Sequence, residues 1–458
     1  MSTLDAGFFF VEHTDVPMHL GSLVVFDGPA PGFGEVVRAY ARELPRVPRY
    51  QQVVRTVPLQ LVRPYWVDDE HFDIREHLRH LRVPAPGRGR QVRRAAAEIF
   101  ARPLDRTRPL WETWFLDGLA GGRWALLSKV HHCLVDGIGG TDLMAEVFDA
   151  GPDPAPRAPA RWDPAPEPAT GDLLARGLLD AVSASARGLA TLPGLVRRLP
   201  ARQEAAGYGR GLAASARRLA VPSASSLNGP IGPRRRWAWA SASFAAVKEI
   251  RGAHGGTVND VLLAVVTRGF RDLLAARGEL EDGVVVRTLV PVSIRTPDEH
   301  GILTNRLSAL LANLPVAEPD PLRRLALVRE EMDELKATGQ AAGPEALTGL
   351  LGLLGSPLLA AGLHAAFQLP QPLVQTVTTN VPGPPFPLFL LGRRMVKAYP
   401  YVGIGDNERI SVAIYSYLGR FAFGITADYD AVPDLSVLTR GIRHGLAELR
   451  PQPARQGI

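Results

Sequence analysis

The spacing of hydrophobic and polar positions along this chain predicts strands and helices in turn. A continuous apolar run from Trp124 to Val130 predicts a buried strand. The same pattern predicts further strands at Gly21 to Phe26, Trp237 to Ser243 and Val284 to Val292. Helices are predicted at Phe33 to Leu44, Arg90 to Ala101, Phe244 to Ala253 and, from an N-cap at Thr257, to about Ala276. Alternation of this kind in both halves predicts an α/β fold.

The length and local composition of the chain predict its domain organisation. A chain of 458 residues is too long for one compact core, so we expect two domains. Proline and alanine dominate residues 151–170, which predicts an extended linker. Leu173 to Leu219 is predicted to be helical, with breaks near Pro193 and Pro200. We therefore expect an N-terminal domain at 1–150, a linker and basic helical connector at 151–226, and a C-terminal domain at 227–458.

The basic connector carries most of the net charge of +6, with eight arginines against three acidic residues between positions 171 and 220. Nucleic acid is disfavoured as a partner because Tyr208 is the only aromatic residue there, and a stacking surface needs several. Two interpretations remain open. The segment either contacts an anionic membrane surface or is a solvated connector with ordinary arginines.

Other sequence features bear on the compartment and on lipid contact. The single cysteine, Cys133, excludes an internal disulfide and fits a reducing cytoplasm. The start of the chain lacks the pattern of a signal peptide, and no uninterrupted apolar stretch has spanning length. Residues 346–392 contain no Asp, Glu, Lys or Arg. They are either a buried helix with a core strand, or the lining of an apolar tunnel or membrane-contacting lip.

The most informative motif follows the predicted strand that ends at Val130. It reads His131-His132-x-x-x-Asp136-Gly137, and glycines at 137, 139 and 140 allow a sharp turn before the next helix. Neighbouring side chains at a strand end point in opposite directions, so only one histidine is able to face a given cavity. A metal site would need a third ligand and histidines spaced on a helix, which disfavours it. We interpret the motif as carrying one general base.

No Gly-x-Ser-x-Gly elbow is present, and Cys133 lacks a dedicated base, so a covalent enzyme intermediate is disfavoured. The simplest chemistry is direct transfer, in which the base takes a proton from a hydroxyl or amine and that atom attacks an activated acyl carbonyl. A thioester is sufficiently activated for one base and oxyanion donors to suffice. Asp136 either holds a ring or forms an ion pair that fixes the turn.

The histidine motif resembles that of coenzyme A-dependent acyltransferases and peptide-condensation domains, and other segments narrow the resemblance. Together they are similar to the bacterial wax ester synthase/diacylglycerol acyltransferase family. These segments are Leu4-Asp5-Ala6, Pro17-Met18-His19, Arg108-Pro109-Leu110-Trp111-Glu112, Leu227-Asn228-Gly229-Pro230, Thr257-Val258-Asn259-Asp260, Pro291-Val292-Ser293-Ile294-Arg295 and Asn380-Val381-Pro382-Gly383-Pro384. One departure is Thr304-Asn305, where glycine is expected before the asparagine.

This resemblance implies two domains like chloramphenicol acetyltransferase, each a mixed sheet flanked by helices, with the active site in a tunnel between them. It implies a fatty acyl-CoA donor, a diacylglycerol or long-chain alcohol acceptor, no cofactor, and triacylglycerol or wax ester as product. His132 would be the base, with His131 and Asp136 in support. The location expected is cytoplasmic, peripheral at the inner membrane face or a lipid-body surface.

The other motif residues are expected to bind substrate or to support the site, and most have a structural alternative. Trp111 either packs under the strand or contacts substrate, and Asp260 either caps a helix or serves the site beside Asn259. The turn at Asn380 either lines the acyl tunnel or crosses between domains. Arg295 either pairs with Asp136 or contacts a phosphate of coenzyme A. Gly137 and Asn305 complete the set.

Two other classes of function share this motif or fold. A peptide-condensation domain would act on carrier-bound thioesters, but it usually lies in a multidomain chain. A noncatalytic lipid-binding protein would keep the fold without turnover, and the presence of both His132 and Asp136 disfavours it.

Overall fold

The structure is a computed structural model and describes residues 1–58, 62–134, 142–155, 157–158, 160–180, 183, 223, 226–293, 307–337 and 374–451. Within these residues two six-stranded mixed sheets form the framework. Helices pack against both sheets. The predicted α/β class with one mixed sheet in each half is therefore confirmed.

The first sheet is built mainly from the N-terminal half. Its strands run in the order β11-β12-β1-β6-β5-β4, and β2 and β3 form a separate hairpin. The elements of this half are α1 (Thr3–Val11), β1 (His19–Phe26), α2 (Phe33–Glu43), β2 (Gln52–Arg55), β3 (Tyr65–Asp68), β4 (Leu78–Arg82), α3 (Gly89–Phe100), β5 (Trp111–Leu119), β6 (Arg123–His131) and α4 (Asp142–Val147).

The second sheet is built entirely from the C-terminal half, in the order β7-β14-β13-β10-β8-β9. The elements after the connector are β7 (Arg235–Ser243), α5 (Phe244–His254), α6 (Val258–Arg277), β8 (Val286–Ser293), β9 (Leu307–Leu314), α7 (Pro321–Ala337), β10 (Thr376–Pro382), β11 (Phe389–Leu390), β12 (Arg393–Val402), β13 (Ile410–Tyr417), β14 (Arg420–Asp428) and α8 (Leu435–Glu448). Helix α6 lies in its core, with α8 packed along it.

Strands β11 and β12 cross from the C-terminal half into the N-terminal sheet. β12 pairs antiparallel with β1, so Leu23 lies opposite Tyr399. Strand β12 is able to approach β14 of the second sheet closely because β14 carries Gly424. A Cβ atom at Gly424 would overlap the carbonyl oxygen of Pro400 on β12. The two sheets therefore do not divide the chain at one point, a feature that chain order does not reveal.

The predicted elements agree with the structure to within one or two residues at most boundaries. Strand β6 extends the predicted Trp124 to Val130 by one residue at each end. Thr257 and Asp260 form the capping box that begins α6, with hydrogen bonds in both directions. Helix α1 was not predicted. The local signal for it is Ser2 at the N-cap, whose side-chain oxygen accepts from the backbone N–H of Asp5 at 3.1 Å.

The proline-rich tract lies along the N-terminal half instead of leading away from it. Its described residues up to 169 form neither helix nor strand. Trp162 packs edge-to-face against Phe72, and Glu167 accepts from Arg55 at 2.6 Å. Residues 170–180 are helical as predicted, and Leu173 packs in a small cluster with Val57 and Val62. The rest of the predicted connector, apart from isolated residues, lies outside the described part.

Strand β6 is anchored to α3 by a buried lysine. The ammonium of Lys129 is fully buried and donates to the carbonyl oxygens of Ile99 and Arg102 at the end of α3. Its charge is paired with Glu112 at 2.7 Å. A buried cation requires such partners, and the carbonyl end of a helix carries partial negative charge. The strand that leads to the histidine motif is thus held firmly.

Candidate active site

The paired histidines lie where β6 ends between β1 and β5. His131 is the last residue of β6 and lies opposite His19 of β1. Its backbone N–H donates to the Leu110 carbonyl at 2.9 Å, and the N–H of His132 donates to the Met18 carbonyl at 2.8 Å. The chain then turns, and the N–H of Leu134 donates a hydrogen bond to the His131 carbonyl. Backbone bonds from both neighbouring segments therefore fix the histidine positions.

His132 has the environment of a neutral base. The residue is partly exposed, and its ring stacks on Phe8 of α1, with centroids 3.8 Å apart. Burial is the main cause that lowers the pKa of His132 to about 4, and the neighbouring His131 adds to the effect. Its Nδ1 is buried and has no hydrogen-bond partner among the described residues. The imidazole is therefore unprotonated near neutral pH, the state that a general base requires.

His131 is fully buried and contacts different groups. Its Nδ1 accepts from the backbone N–H of Cys133 at 3.0 Å, and its Nε2 lies 3.5 Å from a carboxylate oxygen of Glu12. Phe9 packs against the ring edge-on. These contacts give His131 a supporting place in the turn.

Four of the predicted site residues lie outside the described residues. Asp136 and Gly137 fall in residues 135–141, and Arg295 and Asn305 fall in residues 294–306. The predicted ion pair between Asp136 and Arg295, and any role of Asn305 or Gly137, stay predictions.

The structure brings two other predicted residues together. Asn259 lies in the first turn of α6. The prediction of a turn at Asn380 is wrong, because Asn380 lies within β10. Its side-chain N–H donates to the Asn259 amide oxygen at 3.4 Å. Both side chains are half-buried. Within the described part of the chain, no hydrogen bond or ring contact joins this pair to either histidine. The pair is a second polar feature, built from the other sheet.

Trp111 and Asp260 both make contacts that account for them as structural residues. The indole of Trp111 is buried, donates to the Tyr50 carbonyl at 2.7 Å and stacks on His77. The carboxylate of Asp260 accepts from the backbone N–H of Thr257 at 2.7 Å and is buried. These contacts favour the packing interpretation for Trp111 and the capping interpretation for Asp260.

Side chains near the N-terminus contact the two histidines, and the sequence patterns did not predict these contacts. Phe8 and Phe9 of α1 contact the two rings, and Glu12 follows α1 directly. Arg106 lies 3.7 Å from the centre of the Phe9 ring and donates to the Phe9 carbonyl. The available signal was their position between the segments Leu4-Asp5-Ala6 and Pro17-Met18-His19, which the family resemblance had already marked.

Across the described ranges, no three His, Cys, Asp or Glu side chains lie close enough together to hold a metal ion.

The two-sheet α/β framework, with adjacent histidines at the end of a central strand, shares its fold with an acyltransferase and with condensation domains. Residues 1–262 match the family model described as wax ester synthase/diacylglycerol acyltransferase catalytic domain, and residues 303–450 match its C-terminal domain. The chain belongs to the wax ester synthase/diacylglycerol acyltransferase family, as its motifs predicted.

Individual relatives agree with this assignment. A protein of Mycobacterium tuberculosis named a probable diacylglycerol O-acyltransferase, tgs1, is 38% identical over 98% of this chain and 95% of its own length. The wax ester synthase/diacylglycerol acyltransferase from Marinobacter aquaeolei has a similar structure, with TM-score 0.68 and 25% identity over 97% of both chains. The first condensation domain of the calcium-dependent antibiotic synthetase shares the fold, with TM-score 0.59 and 17% identity over 99% of this chain and 96% of its own.

Proposed function

We propose that this protein transfers a fatty acyl group from acyl-CoA to the hydroxyl of a diacylglycerol or long-chain alcohol, with His132 as general base. The observation that carries the proposal is His132 at the end of β6, partly exposed and with a buried Nδ1 that has no hydrogen-bond partner among the described residues, in a chain of this family. The low pKa of His132 leaves its lone pair free at the pH of a cell interior.

The proposed reaction proceeds without an acyl-enzyme. His132 takes the proton of the acceptor hydroxyl while the oxygen attacks the thioester carbonyl carbon, and a tetrahedral intermediate forms. Collapse of this intermediate breaks the carbon–sulfur bond, and the departing thiolate takes the proton from the His132 imidazolium. The products are an ester and free coenzyme A. Base catalysis of this kind typically contributes about 10²- to 10⁴-fold.

The remaining site residues have supporting parts in the proposal. His131 holds the turn through Cys133, and the family resemblance implies a supporting role for Asp136. Asn259 and Asn380 offer neutral amide groups on the second sheet, suited to a substrate oxygen in a tunnel between the sheets. Acyl-CoA enters as a substrate, and the scheme uses no cofactor.

We also propose peripheral contact with a membrane or lipid droplet, since the acceptor and the ester product are lipids. In the described helical residues 170–180, Leu178 and Leu179 are 51% and 70% exposed, and Arg176 is exposed beside them. Two adjacent exposed leucines suit contact with the apolar part of a lipid surface. The described helices include none with the length and apolar character needed to cross a bilayer.

The test is incubation of the purified protein with labelled palmitoyl-CoA and either diolein or hexadecanol, followed by separation of the lipids. We expect labelled triacylglycerol or wax ester, and the ratio identifies the preferred acceptor. Labelled lipid from neither acceptor, together with acyl transfer to an amine or a carrier-bound thioester, would identify a condensation-type enzyme. Binding of both lipids without any product would identify a lipid-binding protein.

A further inference from the structure

The carboxylate of Glu12 lies at the centre of the contacts that hold the histidine turn. Glu12 occupies the C-cap position of α1, and its side chain is 4% exposed. One carboxylate oxygen, Oε1, accepts from the backbone N–H of Met18 at 3.0 Å. The other, Oε2, lies 3.5 Å from Nε2 of His131 and 3.9 Å from Nε of Arg106. The carboxylate therefore lies among nitrogen atoms able to donate hydrogen bonds, those of Met18, His131 and Arg106.

The hydrogen bond on the far side of the His131 ring fixes which nitrogen carries the proton. Nδ1 accepts from the Cys133 N–H at 3.0 Å, so Nδ1 presents a lone pair. The neutral ring then carries its proton on Nε2, the atom that faces Glu12. A carboxylate has acceptors only, and it therefore suits a position between the Met18 N–H and the His131 Nε2–H.

The same carboxylate is connected to His132 through the backbone. The N–H of Met18 donates to Glu12, and the Met18 carbonyl accepts from the N–H of His132 at 2.8 Å. Burial raises the pKa of Glu12, but the contacts with His131, the Met18 N–H and Arg106 outweigh it and lower the pKa. The carboxylate is thus ionised at neutral pH and holds the turn from two sides.

We propose that Glu12 is a positioning residue for acyl transfer, whose carboxylate holds the His131 ring and Met18 and so orients His132. We call these contacts of Glu12 with His131 and Met18 the Glu12 clamp. The proposal rests on the proposed role of His132 as the base. Glu12 itself touches neither substrate nor the reacting atoms.

The first test is Glu12→Gln. An amide has one acceptor and one donor group, so glutamine must place its NH2 against either the Met18 N–H or the His131 Nε2–H. We expect kcat to fall about 10²-fold, the effect of a small misplacement of a reacting group, while KM changes by less than about two-fold.

The second readout is the thiol of Cys133, which reports on the turn without any turnover. Cys133 is the only cysteine of the chain, is buried, and gives its N–H to His131. Burial raises the pKa of the Cys133 thiol, so a maleimide should label the native protein slowly. Loosening of the turn in Glu12→Gln is expected to raise the labelling rate by about tenfold or more.

Glu43→Gln is the matched control. The Glu43 side chain is 2% exposed and is held by Arg42 and Arg46 at 2.6 and 2.9 Å, so it is a buried, ion-paired glutamate of the same half. The two variants are compared at temperatures equally far below their melting points. Glu43→Gln should keep the kcat and the Cys133 labelling rate of the wild type.

A Glu12→Gln enzyme that keeps kcat within about two-fold of the wild type, or labels at the wild-type rate, would overturn the clamp. If Glu12→Gln does not fold, Glu12→Asp is judged by the same two measurements, because it keeps the charge but is too short to reach both donors. A different result would refute the proposed function, namely continued acyl transfer by His132→Ala. The labelling measurement does not depend on that outcome.

Discussion

The two halves of the molecule contribute different kinds of polar group. The first provides the histidine turn at the end of β6, and the second provides the asparagine pair on α6 and β10. The histidine turn contains protonable groups, and the buried Nδ1 of His132 has no partner among the described residues. The asparagine pair is neutral, with its amides bonded to each other, and the capping box beside it is closed in both directions. A neutral imidazole has a lone pair that takes up a proton, whereas an amide forms hydrogen bonds without a change of charge. Under the proposed function, the first sheet provides the group for proton transfer and the second provides neutral hydrogen-bonding groups.

The largest effect should follow from His132→Ala. Removal of the imidazole removes the base but leaves the backbone bond to the Met18 carbonyl in place. We expect kcat/KM for acyl transfer to fall by about 10²- to 10⁴-fold, with a circular dichroism spectrum and melting temperature close to those of the wild type. Undiminished turnover by the folded variant would show that His132 is not the base, and the histidine turn would then have no role in proton transfer that the asparagine pair lacks.

A smaller effect is expected from Asn380→Ala. Loss of one neutral amide that bonds to Asn259 should lower kcat/KM about tenfold or less, the scale of one hydrogen bond of about 1 kcal/mol. Asn313→Ala is the control, since Asn313 is a half-buried asparagine on another strand of the same sheet. Equal effects of the two variants on kcat/KM would show that the asparagine pair has no special part in transfer.

Thr257→Ala should affect stability and not catalysis. The hydroxyl of Thr257 accepts from the Asp260 N–H at 3.2 Å, and loss of a threonine N-cap costs about 1 kcal/mol of unfolding free energy. Denaturant unfolding measures that loss, and kcat should stay within about two-fold of the wild type. A large fall in kcat at unchanged stability would mean that the start of α6 takes part in the reaction.

The smallest change is expected from acidification. The pKa of His132 is lowered to about 4, so the active neutral form is lost only as pH falls through that value. We therefore expect kcat to vary less than about two-fold between pH 5.5 and 8, with intrinsic fluorescence at each pH as the check on folding. An acid limb with its midpoint near 6.5, from a protein still folded there, would contradict the buried environment of His132.

Local pattern alone was enough to predict most of the elements and the histidine pair. The apolar run before His131 predicted β6, and the threonine–aspartate spacing predicted the start of α6, because both signals are carried by neighbouring residues. Helix α1 was missed because its apolar residues form one short run without clear periodicity. The contacts of Phe8 and Glu12 with the histidines join positions more than a hundred residues apart, which no local pattern encodes.

The sequence by itself determined the α/β class, the family and the residue types available for acyl transfer, since these depend on periodicity and on motifs of a few residues. Tertiary structure alone decided that β12 joins the N-terminal sheet, that Asn259 meets Asn380, and that a carboxylate from the start of the chain faces His131. It also decided the protonation state of His132, because the pKa of a histidine depends on how far folding removes it from water.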